Sequence, residues 1–284
     1  MLKTIEIPSR YNYIAVFLTL VCNLRCSYCI NRFGELSGQD RLLTGAQWVE
    51  GLSRISSRPD LPITLGGGEP SLHPDFTSII IALPRELEID LLTNLQFDIA
   101  TFMAAVPPDR LRRTAPYASI RVSYHPETMD LDHLVEQVLT MQRAGYSIGI
   151  WGVLHPQQET EILRAQEFCR AAGIDFRTKE FLGEYKGRMY GSIRYPGACD
   201  RGTGSRVSCR TSELIIGPGG DVYRCHADLY EGRRPTGHIL DPDFEIDELF
   251  RECDYFGYCN PCDVKLKTDR FQVFGHTSVE IHQN

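Results

Sequence analysis

Short apolar runs alternate with helical patterns through the first two-thirds of the chain. Runs at 13–20, 62–65, 88–92, 119–123, 147–154 and 175–180 are of strand length, while the segments between them at 45–57, 75–83, 97–105, 131–144 and 159–172 carry helical spacing. In the fourth helical segment Leu131, Leu134, Val135, Val138 and Met141 recur at three and four residues, which puts them on one face. Thr44 with Gln47 forms a capping box ahead of the first helix, and Gly145 and Gly173 supply stops for the last two. Each pair of successive strands thus has a helix between.

Regular alternation implies a parallel sheet covered by helices, doubly wound or closed into a barrel, with ligands bound at the carboxyl ends of the strands. The unusual residues fall at those ends: a cysteine group after strand one, Gly66-Gly67-Gly68-Glu69-Pro70 after strand two, Thr93-Asn94 after strand three and Ser123-Tyr124-His125 at strand four. After about Tyr195 glycine, proline, arginine and cysteine rise and helical periodicity fades. A hairpin is expected at 213–216 and 221–224 around Gly217-Pro218-Gly219-Gly220. A region so short of apolar periodicity needs another source of stability, and metal-ligating cysteines supply one. The expected units are 1–195 and 196–284.

With 284 residues, 42% hydrophobic and 24% charged, the composition is that of a globular chain. The formal charge of −7 argues against a nucleic-acid binder, whose phosphate-facing surface is usually basic. No apolar stretch is long enough to span a bilayer. The run 13–21 has the length of a signal sequence, but Glu6 and Pro8 interrupt its leader and Val21 stands where a lipoprotein site needs a small residue. It is read as a buried strand, and the protein as cytoplasmic, with no nucleic-acid or membrane partner.

Ten cysteines change the picture. Cys22, Cys26 and Cys29 sit together, Cys169 is isolated, and Cys199, Cys209, Cys225, Cys253, Cys259 and Cys262 fall in the last third. In a chain patterned like an intracellular α/β enzyme, tight cysteine groups point to metal rather than disulfides. The C-x3-C-x2-C loop can wrap three corners of a cubane iron–sulfur cluster and leave the fourth iron open. A zinc loop would want a fourth protein ligand, and no cysteine or histidine lies between Cys29 and Pro70.

These three cysteines, with Tyr28 before the last, Gly66–Pro70 after strand two and Ser123 ending strand four, resemble the radical S-adenosylmethionine (SAM) superfamily. The resemblance covers roughly 12–190 and implies an α/β fold, a partial (β/α)6 TIM-like barrel. It also implies that Cys22, Cys26 and Cys29 hold a [4Fe–4S] cluster whose open iron takes SAM, for reductive cleavage to a 5′-deoxyadenosyl radical. Gly67, Gly68 and Glu69 are then expected at the methionine amino group, Tyr28 near the adenine, Asn94 and Ser123 at the ribose and carboxylate, and Val153 at the adenine. Turn capping is the lesser alternative for each of Asn94 and Ser123. His125 and His155, each followed by proline, stay open between substrate-facing and core roles, as does the mixed segment 179–188 between lining the cleft and a solvated linker.

In the last third Cys209, Gly220, Cys225 and the pair Cys259 and Cys262 resemble the twitch or SPASM auxiliary-cluster domains of that superfamily, as does the linking segment 237–250. The implied unit is a small cysteine-rich C-terminal domain whose auxiliary [4Fe–4S] cluster is held by Cys209, Cys225, Cys259 and Cys262. Zinc would use the same four thiolates. Cys199 and Cys253 are then spare, and Cys253, flanked by Tyr255 and Phe256, is a candidate hydrogen donor.

The resemblance implies an oxidoreductase that abstracts a hydrogen atom from an unactivated carbon of a small polyol, sugar or amino-acid-like metabolite in a biosynthetic pathway. The auxiliary cluster would accept the remaining electron, and an external flavodoxin- or ferredoxin-type donor would reduce the system. Radical epimerisation with a cysteine donor, and modification of a ribosomal peptide, are the alternatives. The short stretch before the first strand leaves no room for a leader-peptide reader, which favours a small molecule. A metal-stabilised binding or sensor protein is the non-enzymatic alternative.

Overall fold

The computed structural model describes residues 3–31, 41–202, 204–268 and 273–283. The chain runs β1 (Ile5–Glu6), β2 (Tyr13–Thr19), α1 (Gly45–Leu52), β3 (Ile55–Ser56), β4 (Ile63–Gly67), α2 (Phe76–Ala82), β5 (Ile89–Thr93), α3 (Ile99–Ala105), β6 (Ile120–Tyr124), α4 (Leu131–Arg143), β7 (Ile148–Leu154), α5 (Glu159–Ala171) and β8 (Phe176–Glu180). Strands β2, β4, β5, β6, β7 and β8 are hydrogen-bonded in that order, all parallel. The alternation of patterns implied the parallel sheet, and its form is the six-strand partial barrel that the resemblance implied. Residues 14–18 of β2 are all buried, as a strand covered on both faces requires.

Helix α1 starts on the expected capping box, with the Thr44 hydroxyl taking the Gln47 N–H and Gln47 returning the bond. It ends at Leu52, earlier than its apolar pattern suggests, because residues 55 and 56 leave to form β3, paired in parallel with β1. Buried Arg54 closes that corner. Its guanidinium donates to the carbonyls of Lys3, Ile239 and Asp241 and so binds the N-terminus to the segment after residue 237. Gly51 sits so close to this segment that a Cβ there would approach Ile239 Cγ1 to 2.8 Å.

Beyond the barrel come β9 (Gly183–Tyr185) and β10 (Arg188–Tyr190), a hairpin, then β11 (Ser205–Thr211), β12 (Glu213–Ile216), β13 (Asp221–Tyr223), α6 (His226–Tyr230), β14 (Gly237–His238), β15 (Arg251–Phe256), α7 (Pro261–Val264), β16 (Lys267–Thr268), β17 (Phe274–His276) and β18 (Val279–Gln283). The expected hairpin is β12 and β13, but it does not stand apart. Strand β12 pairs in parallel with β2, Leu214 opposite Ile14, so the sheet continues across residue 196 in the order β14-β13-β12-β2-β4-β5-β6-β7-β8. Outside that sheet β15, β11 and β18 form an antiparallel layer.

One buried ion cluster braces the barrel. Asp90 on β5 is fully buried and receives Arg113 Nε at 2.6 Å and Arg121 Nη2 at 3.2 Å. Asp90→Ala would leave two guanidinium groups enclosed without their carboxylate, and is expected to cost about 3–5 kcal/mol. Urea denaturation checks this, and a loss below about 1 kcal/mol would class the pair with surface bridges.

Candidate functional site

The carboxyl ends of the barrel strands open into one cavity of about 400 Å³. Cys22, Cys26, Tyr28, Cys29, Gly67, Gly68, Asn94, Ser123 and Val153 all line it, although they come from five separate strand ends. The cysteine loop that leaves β2 is held at several points. Thr19 Oγ1 takes the Val21 N–H at 3.1 Å, and the Ser27 hydroxyl donates to Glu127 at 2.7 Å. The Leu24 N–H points at Cys22 Sγ at 3.4 Å, and the Asn94 amide bridges to Asn23 at 2.7 Å. Burial pushes the Cys26 thiol up to about 12, so loading a metal on this loop must release protons.

The glycines after β4 answer to a close backbone approach. Gly67 has φ +136°, and a Cβ there would fall 2.0 Å from the Thr19 carbonyl oxygen; at Gly68 it would fall 2.3 Å from that of Val21. The Gly68 and Glu69 N–H groups bond those two carbonyls at 3.0 and 2.9 Å, locking the glycine segment to the start of the cysteine loop.

Glu69 departs from its expected place. Its side chain is fully buried, off the cavity wall, and both oxygens are engaged: Oε1 accepts from the Thr93 hydroxyl at 2.8 Å and the Ser71 N–H at 3.1 Å, Oε2 from the Asn94 N–H at 2.7 Å. It joins the ends of β4 and β5.

Tyr28 packs in an aromatic group. Its hydroxyl meets His125 Nδ1 at 2.8 Å, and its ring stacks on His155 at 5.2 Å, with Phe181 edge-on to His155 at 4.6 Å. Burial holds His125 near 4, so it is neutral at pH 7. Of the two histidines, His125 lines the cavity and His155 backs Tyr28.

The segment 179–188, open in sequence between cleft and linker, lines the cavity through Lys179, Glu180, Phe181 and Leu182, and Cys262, expected at the auxiliary cluster, faces it as well. Nothing in the sequence signalled His226, Tyr230 and Lys265, which complete the far wall from the C-terminal third. His226 Nδ1 meets buried Asp263 at 2.8 Å, and Asp263 also takes the His226 and Ala227 N–H groups, which caps α6. Partners 37 residues apart leave no local signal in sequence.

Lys179 has accessible surface on the cavity but protein around it. That desolvation, followed by Arg121 and Lys265, lowers its pKa to about 7.

The C-terminal cysteines divide unexpectedly. Cys209, Cys225, Cys253 and Cys259 line a second, smaller cavity, while Cys262 lines the large one. Pairing of β11 with β15 sets Val207 opposite Cys253, which puts Cys209 and Cys253 on one face as diagonal neighbours. The Cys209 thiol bonds Cys253 and holds it below the ordinary thiol range. The Asp228 N–H points at Cys225 Sγ at 3.4 Å. Cys199 donates to the Cys259 carbonyl at 3.3 Å, and Cys169 is buried in the barrel core. Among the described residues no three His, Cys, Asp or Glu side chains are grouped closely enough for a single metal ion; a cubane takes its ligands on separate irons, which stand farther apart.

A model of the Radical SAM superfamily matches residues 16–178. The chain is 27% identical over 202 residues to "Probable GTP 3′,8-cyclase" of Methanocella arvoryzae, a match covering 66% of this chain and 60% of that protein. It is 36% identical over 78 residues to "Molybdenum cofactor biosynthesis protein 1" of Homo sapiens, covering 27% and 12%. The chain thus spans 60% or less of the length of these relatives. Among solved structures, "Native anSMEcpe with bound AdoMet" is similar with a TM-score of 0.55 at 14% identity, covering 81% of this chain and 78% of that one. "Native anSMEcpe with bound AdoMet and Kp18Cys peptide" is similar with a TM-score of 0.54 at 14% identity, covering 81% and 77%. At these identities the likeness is one of fold.

Proposed function

The chain belongs to the radical SAM superfamily, and we propose that it abstracts a hydrogen atom from an unactivated C–H bond of a small polar metabolite, such as a polyol or amino sugar. The superfamily uses a [4Fe–4S] cluster with SAM. One observation carries the reading: three thiols from one loop, the glycine segment and the ends of β5, β6 and β7 line a single cavity. Cys22, Cys26 and Cys29 suit the cluster, because three soft sulfurs leave one iron open. Gly67, Gly68, Asn94, Ser123, Val153 and Tyr28 suit SAM, with Glu69 positioning the glycine segment from behind. When bound, cluster and SAM supply a 5′-deoxyadenosyl radical once an external flavodoxin- or ferredoxin-type donor has delivered an electron.

The substrate class rests on a third cavity, of about 380 Å³, that shares Tyr28, Cys29 and Tyr230 with the first. Glu184, Glu231, Tyr255, Tyr258 and Asn260 line it, a set suited to hydroxyl and amino groups. Among the described residues no helix is long and apolar enough to cross a membrane. The C-terminal thiols support an auxiliary [4Fe–4S] cluster, for about eight irons per chain.

The test is anaerobic incubation of reconstituted protein with SAM and dithionite, alone and with a pool of polyols and amino sugars, with GTP, or with short peptides. Acceleration of 5′-deoxyadenosine formation by the first pool is expected. Acceleration only by GTP or by peptides would overturn the substrate class.

A further inference from the structure

Resting on the radical SAM reading above, we infer that the substrate carries a carboxylate, received between Lys179 at the end of β8 and Lys265 just beyond α7. Both lysines line the large cavity. The register of β7 with β8 sets Lys179 opposite Val153, and partners in a parallel pair share a face, so the two side chains reach the cavity from the same side of the sheet. Lys265 comes from the C-terminal third. It is held there by its bridge to Ile193 and by the Leu266 N–H on the Ser192 carbonyl at 2.7 Å. Packing of that third on the barrel brings the two ammonium groups near enough to repel one another.

The carboxylates nearby are already committed. Asp90 is shared by Arg113 and Arg121, and Arg121 in turn repels Lys179. Glu180 Oε2 accepts the Ser192 N–H and hydroxyl, each at 3.0 Å, and its other oxygen faces Lys265 Nζ at 3.9 Å, too far for a hydrogen bond. Among the described residues Lys179 has neither a hydrogen bond nor an ion pair. Lys267, two residues beyond Lys265, is the contrast: it pairs with fully buried Glu213 and donates to Ser278 Oγ at 2.6 Å. The chain thus supplies a buried carboxylate to Lys267 and none to Lys179. A carboxylate between Lys179 and Lys265 would relieve their repulsion and give both ammonium groups an acceptor.

Two features choose the anion. Backbone N–H groups at the start of α6, which a phosphate would want, are filled by the Asp263 carboxylate, so the wall offers two ammonium groups and suits a single negative charge. The anion is also not that of SAM. The glycine segment and Asn94, suited to SAM, stand at the ends of β4 and β5, with β6 and β7 between them and β8. The third cavity, joined to the first at Tyr28, Cys29 and Tyr230, presents Glu184 and Glu231. A substrate anchored by its carboxylate at the lysines therefore turns its amino and hydroxyl groups toward those glutamates, and the class narrows to an amino acid or an amino-sugar acid.

Substrate preference and lysine labelling test this on the full chain after anaerobic reconstitution. Three pools are compared: polyols and amino sugars, the carboxylates of the same compounds with amino acids, and their phosphates. In wild type with SAM and dithionite, the carboxylates are expected to accelerate 5′-deoxyadenosine formation half-maximally at concentrations about 10–100-fold below those of the neutral compounds, as one or two charge-assisted hydrogen bonds would give. Lys179→Met and Lys265→Met should each remove that preference, with iron content and SAM affinity by titration as in wild type. Acetic anhydride followed by mass spectrometry should label Lys179 and Lys265 more slowly with the carboxylate pool present than with the neutral pool. Equal acceleration or equal labelling with those two pools, or a preference for phosphates alone, would overturn the inference. So would loss of iron or of SAM affinity in the lysine variants, which would give these lysines to the cluster or to the SAM carboxylate. Failure of the radical SAM reading shows separately, as wild-type protein that forms no 5′-deoxyadenosine from SAM and dithionite, and the labelling then still decides whether a carboxylate binds.

Discussion

Cys26→Ala is expected to lower conversion of SAM to methionine and 5′-deoxyadenosine by more than about a hundredfold. Loss of an outer-shell partner alone typically costs 10–100-fold at a metal site, and Cys26 is one of only three thiols on the loop. Its sulfur meets the Thr128 hydroxyl at 4.0 Å, a poor ligand for iron. A triple Cys22/Cys26/Cys29 alanine variant should lose about half of the roughly eight irons of the wild-type protein and keep the rest. The checks are chromatography of the nucleoside product and iron analysis of the same samples. Normal turnover in Cys26→Ala would remove the cluster from this loop. Zinc in place of iron in the triple variant would make the C-terminal site a structural zinc centre.

Glu69→Gln is expected to weaken SAM binding at least about tenfold and to destabilise the protein even without SAM, by about 2–3 kcal/mol. Glutamine keeps the volume but turns one acceptor into a donor. Either the Asn94 N–H on Oε2, or the Thr93 hydroxyl and Ser71 N–H on Oε1, would then face an N–H2 group in a place closed to water. Those bonds set the ends of β4 and β5, and through them the glycine segment and the Asn94 amide that bridges to the cysteine loop. Isothermal titration with SAM and urea denaturation of the SAM-free protein measure the two effects. Weaker binding with unchanged stability would mean that Glu69 touches SAM directly.

Much of this was legible along the chain because it is local. A strand flanked by glycine, a capping box such as Thr44 with Gln47, and three cysteines within eight residues each lie in one stretch of backbone, and neighbouring residues cannot avoid being neighbours in space. The six parallel strands follow from alternation of pattern, since a parallel pair needs a crossover and the helices supply it. The end of α1 departs from its own pattern because the pairing of Ile55 with Ile5 lies outside that stretch of sequence.

Sequence by itself determined the class of fold, the rim at which the chemistry gathers and the loop that offers three sulfurs to a cluster. Tertiary structure alone decided which groups face which cavity. Glu69 stands beside two glycines that line the site, yet buried donors from Ser71, Thr93 and Asn94 turn it inward. Cys259 and Cys262 are three residues apart but serve different cavities, while Cys209 and Cys253, far apart in sequence, meet across β11 and β15. His226 gains its Asp263 partner when residues 37 apart meet within the C-terminal third, and Lys179 on β8 faces Lys265 of that third across the cavity. The physical reason is common to all four: direction and desolvation are properties of packing between distant segments, and the spacing of residues along the chain carries neither.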